Sequence, residues 1–293
     1  MRLRRQLIAK LPLAIKTTPP GVVFSFPAAI WRAVHGKLII SMTDSNLAPP
    51  AVLPSELDST LKQQGYAVLS AASVRELTGC NAAALQALNP FWDGLPADAY
   101  LKDGGRYRRR RHSCFVVEGE RVTQAAHRAH WQPLEYNALH GGMQRLFEPM
   151  PSALLQQVAW PRLLGWLGRV CSSLKGPQPW YVEAHQFRID TTNGIGRPTP
   201  EGAHRDGVDL VAVFLVGRRG VKGGETRVFD ADGPNGQRFT LSEPWSVLLL
   251  DDARVIHETT PIQPVAQPAY RDTLVVTLRA GGFQGEQVNK APV

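Results

Sequence analysis

A chain of 293 residues with 43% apolar side chains can bury a sizeable core unaided. Its three cysteines, Cys80, Cys114 and Cys171, are far apart and form no Cys-x-x-Cys, which excludes a disulfide framework or a thiolate zinc site and fits a reducing cytoplasm. The net charge of +8 sits mostly in residues 1–41, which hold seven bases and no acid; the rest has 26 bases against 25 acids, arguing against nucleic acid or an acidic membrane as partner of the main body.

That basic leader is broken by Pro12, Pro19, Pro20 and Pro27 into apolar runs too short to span a bilayer, and it lacks the cleavage pattern of a secretion signal. Composition changes at Met42, so translation is expected to begin there, a basic targeting or binding tail being the alternative. A single domain is expected over 42–293, with 42–175 mainly helical support and 176–285 as its strand-rich core.

From Pro54 to Gln64, proline and acids at the head and Gly65 at the end predict a helix. Tyr66-Ala-Val-Leu69 reads as a short strand, followed by helical material over Ser73–Leu88 and a loop marked by Asn89-Pro90 and Asp93-Gly94. Further helices are expected over Glu135–Phe147 and Ala153–Leu174, the second started or kinked by Pro161. The run Arg106-Tyr-Arg-Arg-Arg-Arg111 is expected to be a solvated strand with one or two arginines turned inward.

Beyond Gly176 the pattern becomes strands: Trp180–Ile189, Val208–Val216, Thr226–Phe229, Trp245–Leu250 and Asp272–Leu278, separated by Gly-, Pro-, Asn- and Asp-rich turns. Helices ahead of a run of strands predict an α+β fold, the strands closing as a double-sheet jelly roll.

One of these strands is preceded by Pro200-Glu-Gly-Ala-His204-Arg-Asp206. Positions i and i+2 of an extended chain share a face, so His204 and Asp206 aim at one point. His257, just after Val247-Leu-Leu-Leu250, is the natural third ligand, and two imidazoles with one carboxylate form a facial triad suited to non-haem Fe(II). On the last strand Arg271 and Thr273 share a face by the same rule, a fork suited to a carboxylate.

These motifs, with Lys222-Gly-Gly-Glu225, Leu250-Asp-Asp252 and Tyr270-Arg-Asp-Thr-Leu-Val-Val-Thr277, span about Trp180 to Arg279. That stretch resembles the Fe(II)/2-oxoglutarate-dependent dioxygenases, and within them the bacterial subgroup that includes hydroxylases of free L-amino acids. The resemblance implies a double-stranded β-helix. It further implies iron on His204, Asp206 and His257, with the distal carboxylate of 2-oxoglutarate on Arg271 and Thr273. The implied reaction consumes O2, with ascorbate as reductant, releases succinate and CO2, and hydroxylates a small molecule, a free or modified L-amino acid. A nucleic-acid or protein oxygenase docking through the arginine run is one alternative; a non-catalytic metal-binding stress or regulatory protein of the same fold is the other.

Substrate contacts are expected from Gln186 and Arg188, which share a face of their strand, and from Arg108. Asp209, five residues from His204, is expected to be structural, and Asp251 and Asp252 to cap a turn or support the site from behind. His35, His127, His130 and His140 lack ligand spacing and are expected to be ordinary histidines.

Overall fold

The computed structural model describes residues 48–285; the basic leader and the expected start at Met42 lie outside the described residues. A single 3-10 turn over Pro54–Glu56 leads into α1 (Leu57–Gln64), which Gly65 ends with a left-handed φ of 76°. Then come β1 (Tyr66–Leu69), α2 (Ala71–Thr78) and α3 (Ala82–Gln86). Ser70 and Asn81 cap the last two, accepting the N–H of Ser73 and Ala84. The chain continues through β2 (Arg108–Glu118), β3 (Arg121–Gln124), α4 (Ser152–Leu155) and α5 (Ala159–Lys175), with Pro161 in the first turn of α5, where its missing N–H has no helical partner to lose.

The remainder is strand: β4 (Trp180–Asp190), β5 (Leu210–Arg219), β6 (Val221–Gly223), β7 (Thr226–Asp230), β8 (Gly236–Phe239), β9 (Val247–Asp251), β10 (Val255–Thr259), β11 (Ile262–Pro264) and β12 (Tyr270–Arg279). The large antiparallel sheet has the order β1-β9-β5-β12-β4-β2-β3, and two smaller sheets are β10-β7-β8 and β11-β6. This is the α+β jelly roll expected.

The faces of the large sheet divide the work. Ala212, Phe214 and Val216 of β5 and Leu274, Val276 and Leu278 of β12 pack on α1, α2 and α5 through Leu61, Val74, Leu163, Leu164 and Leu167. From the other face Val211, Leu215, Leu248 and Leu250 meet Val228, Phe239 and Val255 of the small sheet. A sheet covered on both faces needs apolar side chains at successive positions, which is why β5 and β9 read as unbroken apolar runs.

One expectation is corrected. Glu135–Phe147 is a series of turns, not a helix. Asn137 accepts the N–H of His140 on its side chain at 2.7 Å, and Gly142 takes a φ of 72°, so local hydrogen bonds and a left-handed residue replace the helical ladder. The arginine run opens β2, between β4 and β3 in the large sheet, with two arginines turned inward as expected: Arg108 and Arg110 are 5% and 3% exposed, whereas Arg109 and Arg111 are partly exposed.

Candidate active site

His204 and His257 meet because their backbones pair. Each donates its N–H to the other's carbonyl, at 3.1 and 3.0 Å, forming an antiparallel bridge that joins the loop before β5 to the middle of β10. Asp206 follows in the same loop rather than on β5, which begins only at Leu210. A carboxylate holds that loop in place: Asp252 accepts the backbone N–H groups of Asp206, Gly207 and Val208 at 2.7 to 3.1 Å. Convergence thus comes from a bridge and an aspartate clamp, not from the pleat of a strand. Asp209, turned away, accepts the N–H of Ala280.

The ligand atoms of His204, Asp206 and His257 lie within 4.8 Å of one another. Asp206 Oδ1 is 3.9 Å from His204 Nε2, and its Oδ2 is 3.9 Å from His257 Nε2. His204 Nδ1 is 2.9 Å from the Gly202 carbonyl and donates to it, which leaves Nε2 as the lone-pair nitrogen facing the carboxylate. Burial, reinforced by His204, pushes the His257 pKa well below its usual value, so this imidazole is neutral and able to ligate. Two neutral-capable imidazoles and one carboxylate at this spacing fit Fe(II).

The triad lines a cavity with Arg271 and Thr273 of β12 on its wall. Arg271 is 3% exposed, and its Nε and one Nη have no partner among the described residues. Burial, then the nearby Arg218, lowers its pKa to about 10, so it is cationic at neutral pH. A buried guanidinium with free donors facing a cavity suits an anion supplied from outside.

The three expected substrate residues part company. Arg108 lines the cavity; Gln186 and Arg188 do not. They share a face of β4, but it is the face turned away: Gln186 donates to the Phe91 carbonyl, and Arg188 pairs with Asp272 and Asp93. The alternate set, Glu183, His185, Phe187 and Ile189, faces the cavity.

Three functional features escaped the sequence reading. Gln132 donates to Asp206 Oδ1, and Arg145 donates to the Gln132 side-chain oxygen. His130 belongs to a buried group with His112, Glu183 and His185, whose ligand-type atoms also lie within 4.8 Å of one another. Glu183 accepts from His112 at 3.0 Å and from His130 at 2.5 Å, while the Arg110 guanidinium is 2.8 Å from His185 Nδ1. With Glu183 already shared by two imidazoles and a buried cation beside His185, this group is a hydrogen-bonded wall with its charge balanced. Its only sequence signal was the alternation of His112 with the arginines and of Glu183 with His185.

A family model described as 2OG-Fe dioxygenase matches residues 89–277. The crystal structure of a bsmA homolog from Methylobium petroleophilum PM1 is 53% identical, covering 81% of this chain and 97% of that one, with a TM-score of 0.77. IDO from Bacillus thuringiensis shares the fold at 17% identity, covering 80% of this chain and 97% of that one (TM-score 0.63). The Fe(II)/(alpha)ketoglutarate-dependent dioxygenase TqaL does so at 20%, covering 80% and 88% (TM-score 0.61). No curated protein matches.

Proposed function

Because the chain belongs to the 2OG-Fe dioxygenase family, whose members use Fe(II), 2-oxoglutarate and O2, we propose that it hydroxylates a small substrate, a free or modified L-amino acid, with release of succinate and CO2. His204, Asp206 and His257 hold the iron, and Arg271 with Thr273 receives the distal carboxylate of 2-oxoglutarate. The iron, when bound, supplies the activation of O2 that oxidises the 2-oxo acid and the substrate carbon. The protein's own work is to orient: His204 is fixed by Gly202, Asp206 by Gln132 and the Asp252 clamp, and the cosubstrate by Arg271.

The observation that carries this reading is that the two-histidine, one-carboxylate cluster and a buried guanidinium with free donors line one cavity. Among the described residues no helix is long and apolar enough to cross a membrane.

The test is succinate release by protein supplied with Fe(II), ascorbate and 2-oxoglutarate, screened against the common L-amino acids. The matching amino acid should accelerate release, and His204→Ala should reduce it to background. Equal release from wild type and His204→Ala would refute the assignment.

A further inference from the structure

The cavity contains a second cationic wall, on the side of β2. Arg145 is 2% exposed, lines the cavity and donates to Gln132 at 2.9 Å, yet its Nε is without a partner, and no carboxylate pairs with it among the described residues. Arg108 beside it is 5% exposed and pairs with Asp98 through Nε at 2.7 Å, leaving one Nη without a partner. A buried guanidinium with spare donors is costly to leave uncompensated, so both point to a negative group that is not part of the chain.

The buried charges nearby agree. Arg108, Arg110 and Arg145 face Asp98 and Glu183 on this wall, and Glu201, which lines the same cavity, acts on Arg145 without pairing with it. Glu183 is shared by His112 and His130, and burial holds these imidazoles neutral by lowering their pKa values. Arg145 is thus left without an ion-pair partner among the described residues. It is separate from the fork at Arg271, whose charged neighbours are Arg218 and Asp272.

Resting on the dioxygenase reading above, we propose that Arg145 with Arg108 forms a second anion site that grips the carboxylate of the substrate, so that the substrate is a free acid rather than a residue inside a polypeptide. Gln132 fixes the location. Its amide joins Arg145 to the iron ligand Asp206 through two hydrogen bonds, so a carboxylate held there lays the attached carbon chain beside the metal position. A peptide-internal residue other than Asp or Glu has no carboxylate to offer and leaves both guanidiniums unpaired, as does an amide.

Mn(II)-loaded protein saturated with 2-oxoglutarate under argon has its cosubstrate site filled and no turnover, so added anions report on the second site. Melting temperature is then followed against pentanoate, pentanamide and inorganic phosphate. Pentanoate should raise it and pentanamide should not. Arg145→Met should weaken pentanoate binding about 10- to 100-fold, with Arg145→Lys retaining part of it. Arg108→Gln, which spares Arg145, should weaken it as well and serves if Arg145→Met fails to fold. Equal shifts from the acid and the amide, an undiminished pentanoate shift in the variants, or a response to phosphate alone would each overturn the proposal. A wild-type protein that does not respond to 2-oxoglutarate counts against the dioxygenase reading; one that responds to it but not to pentanoate counts against this site only.

Discussion

Gln132 donates its side-chain N–H to Asp206 Oδ1 at 3.0 Å across 74 residues of sequence, while its oxygen accepts from Asn137 and Arg145 at 3.1 and 2.9 Å. The amide orientation is therefore set by its neighbours, and the carboxylate oxygen it holds is oriented in turn. Groups that orient a metal ligand are commonly worth about 10- to 100-fold in metal affinity. Gln132→Leu, close in volume but without donor or acceptor, should weaken Fe(II) or Mn(II) binding by that amount in a metal titration. Gln132→Glu should also weaken it, since a carboxylate cannot donate to Asp206 at neutral pH. Unchanged affinity in both would remove Gln132 from the site.

Asp252 acts on the same ligand from the backbone side. It is 2% exposed and accepts three consecutive backbone N–H groups of the His204 loop. Asp252→Ala leaves those donors unpaired in a buried place, at a cost of about 1–3 kcal/mol for each donor that water cannot reach. The expected outcome is a lower melting temperature together with metal binding weakened beyond that of Gln132→Leu. A variant as stable as wild type with intact metal affinity would show that Gly207 and its neighbours hold their shape without the clamp.

The triad was readable because its residue types are rare together and sit beside apolar runs; His204, Asp206, His257 and Arg271 needed no knowledge of the packing. Strands β5, β9 and β12 were readable because a sheet covered on both faces demands apolar residues in succession, whereas the short β6, β8, β10 and β11 carry no such run. What hid the rest was charge and distance. β2 opens with four consecutive arginines, Arg108 to Arg111, and no apolar pattern marks it as an internal strand; Asp98, Asp190 and the ring of Phe147 compensate three of them from afar. Gln132 and Arg145 come from turns with no periodicity, and their contacts close only in three dimensions. The choice of face on β4 failed for a simpler reason: alternation says which residues go together, but Gln186 with Arg188 and His185 with Phe187 are both sets with polar members, and only the fold decides between them.

The buried histidines make stability depend on acid. Burial lowers the pKa of His130 to about 4, outweighing the raising effect of Glu183, and does the same to His140, with Arg108 adding to it. In the unfolded chain each takes up a proton near pH 6.5, whereas the folded protein holds them neutral until about pH 4. Between those values the unfolded state binds more protons, so stability is fully present above pH 6.5 and declines as pH falls. For His130, 7% exposed, the loss at pH 4 is about 3 kcal/mol. Melting temperature should fall over this window, and His130→Gln, which can still donate to Glu183, should flatten the slope. An identical slope in the variant would locate the acid sensitivity elsewhere.

Two glycines in α5 separate helix propensity from packing. A Cβ at Gly165 would have as its nearest neighbour an Arg169 Nη at 3.9 Å, whereas one at Gly168 would come within 2.6 Å of Val117 Cγ1 on β2. Alanine in a helix interior is favoured over glycine by about 1 kcal/mol, so Gly165→Ala should raise stability by about 0.5–1 kcal/mol. At Gly168 the same gain is set against a clash with a side chain that is itself fully buried, and overpacking of this kind costs about 1–3 kcal/mol. Gly168→Ala should therefore lower the denaturation midpoint. Val117→Ala removes the opposing methyl groups, so the double variant Gly168→Ala, Val117→Ala should be more stable than the two single effects added together. Simple additivity in that cycle would mean that α5 and β2 do not touch at this point, and with them the contact that sets the helix layer against the strand bearing Arg108 and Arg110.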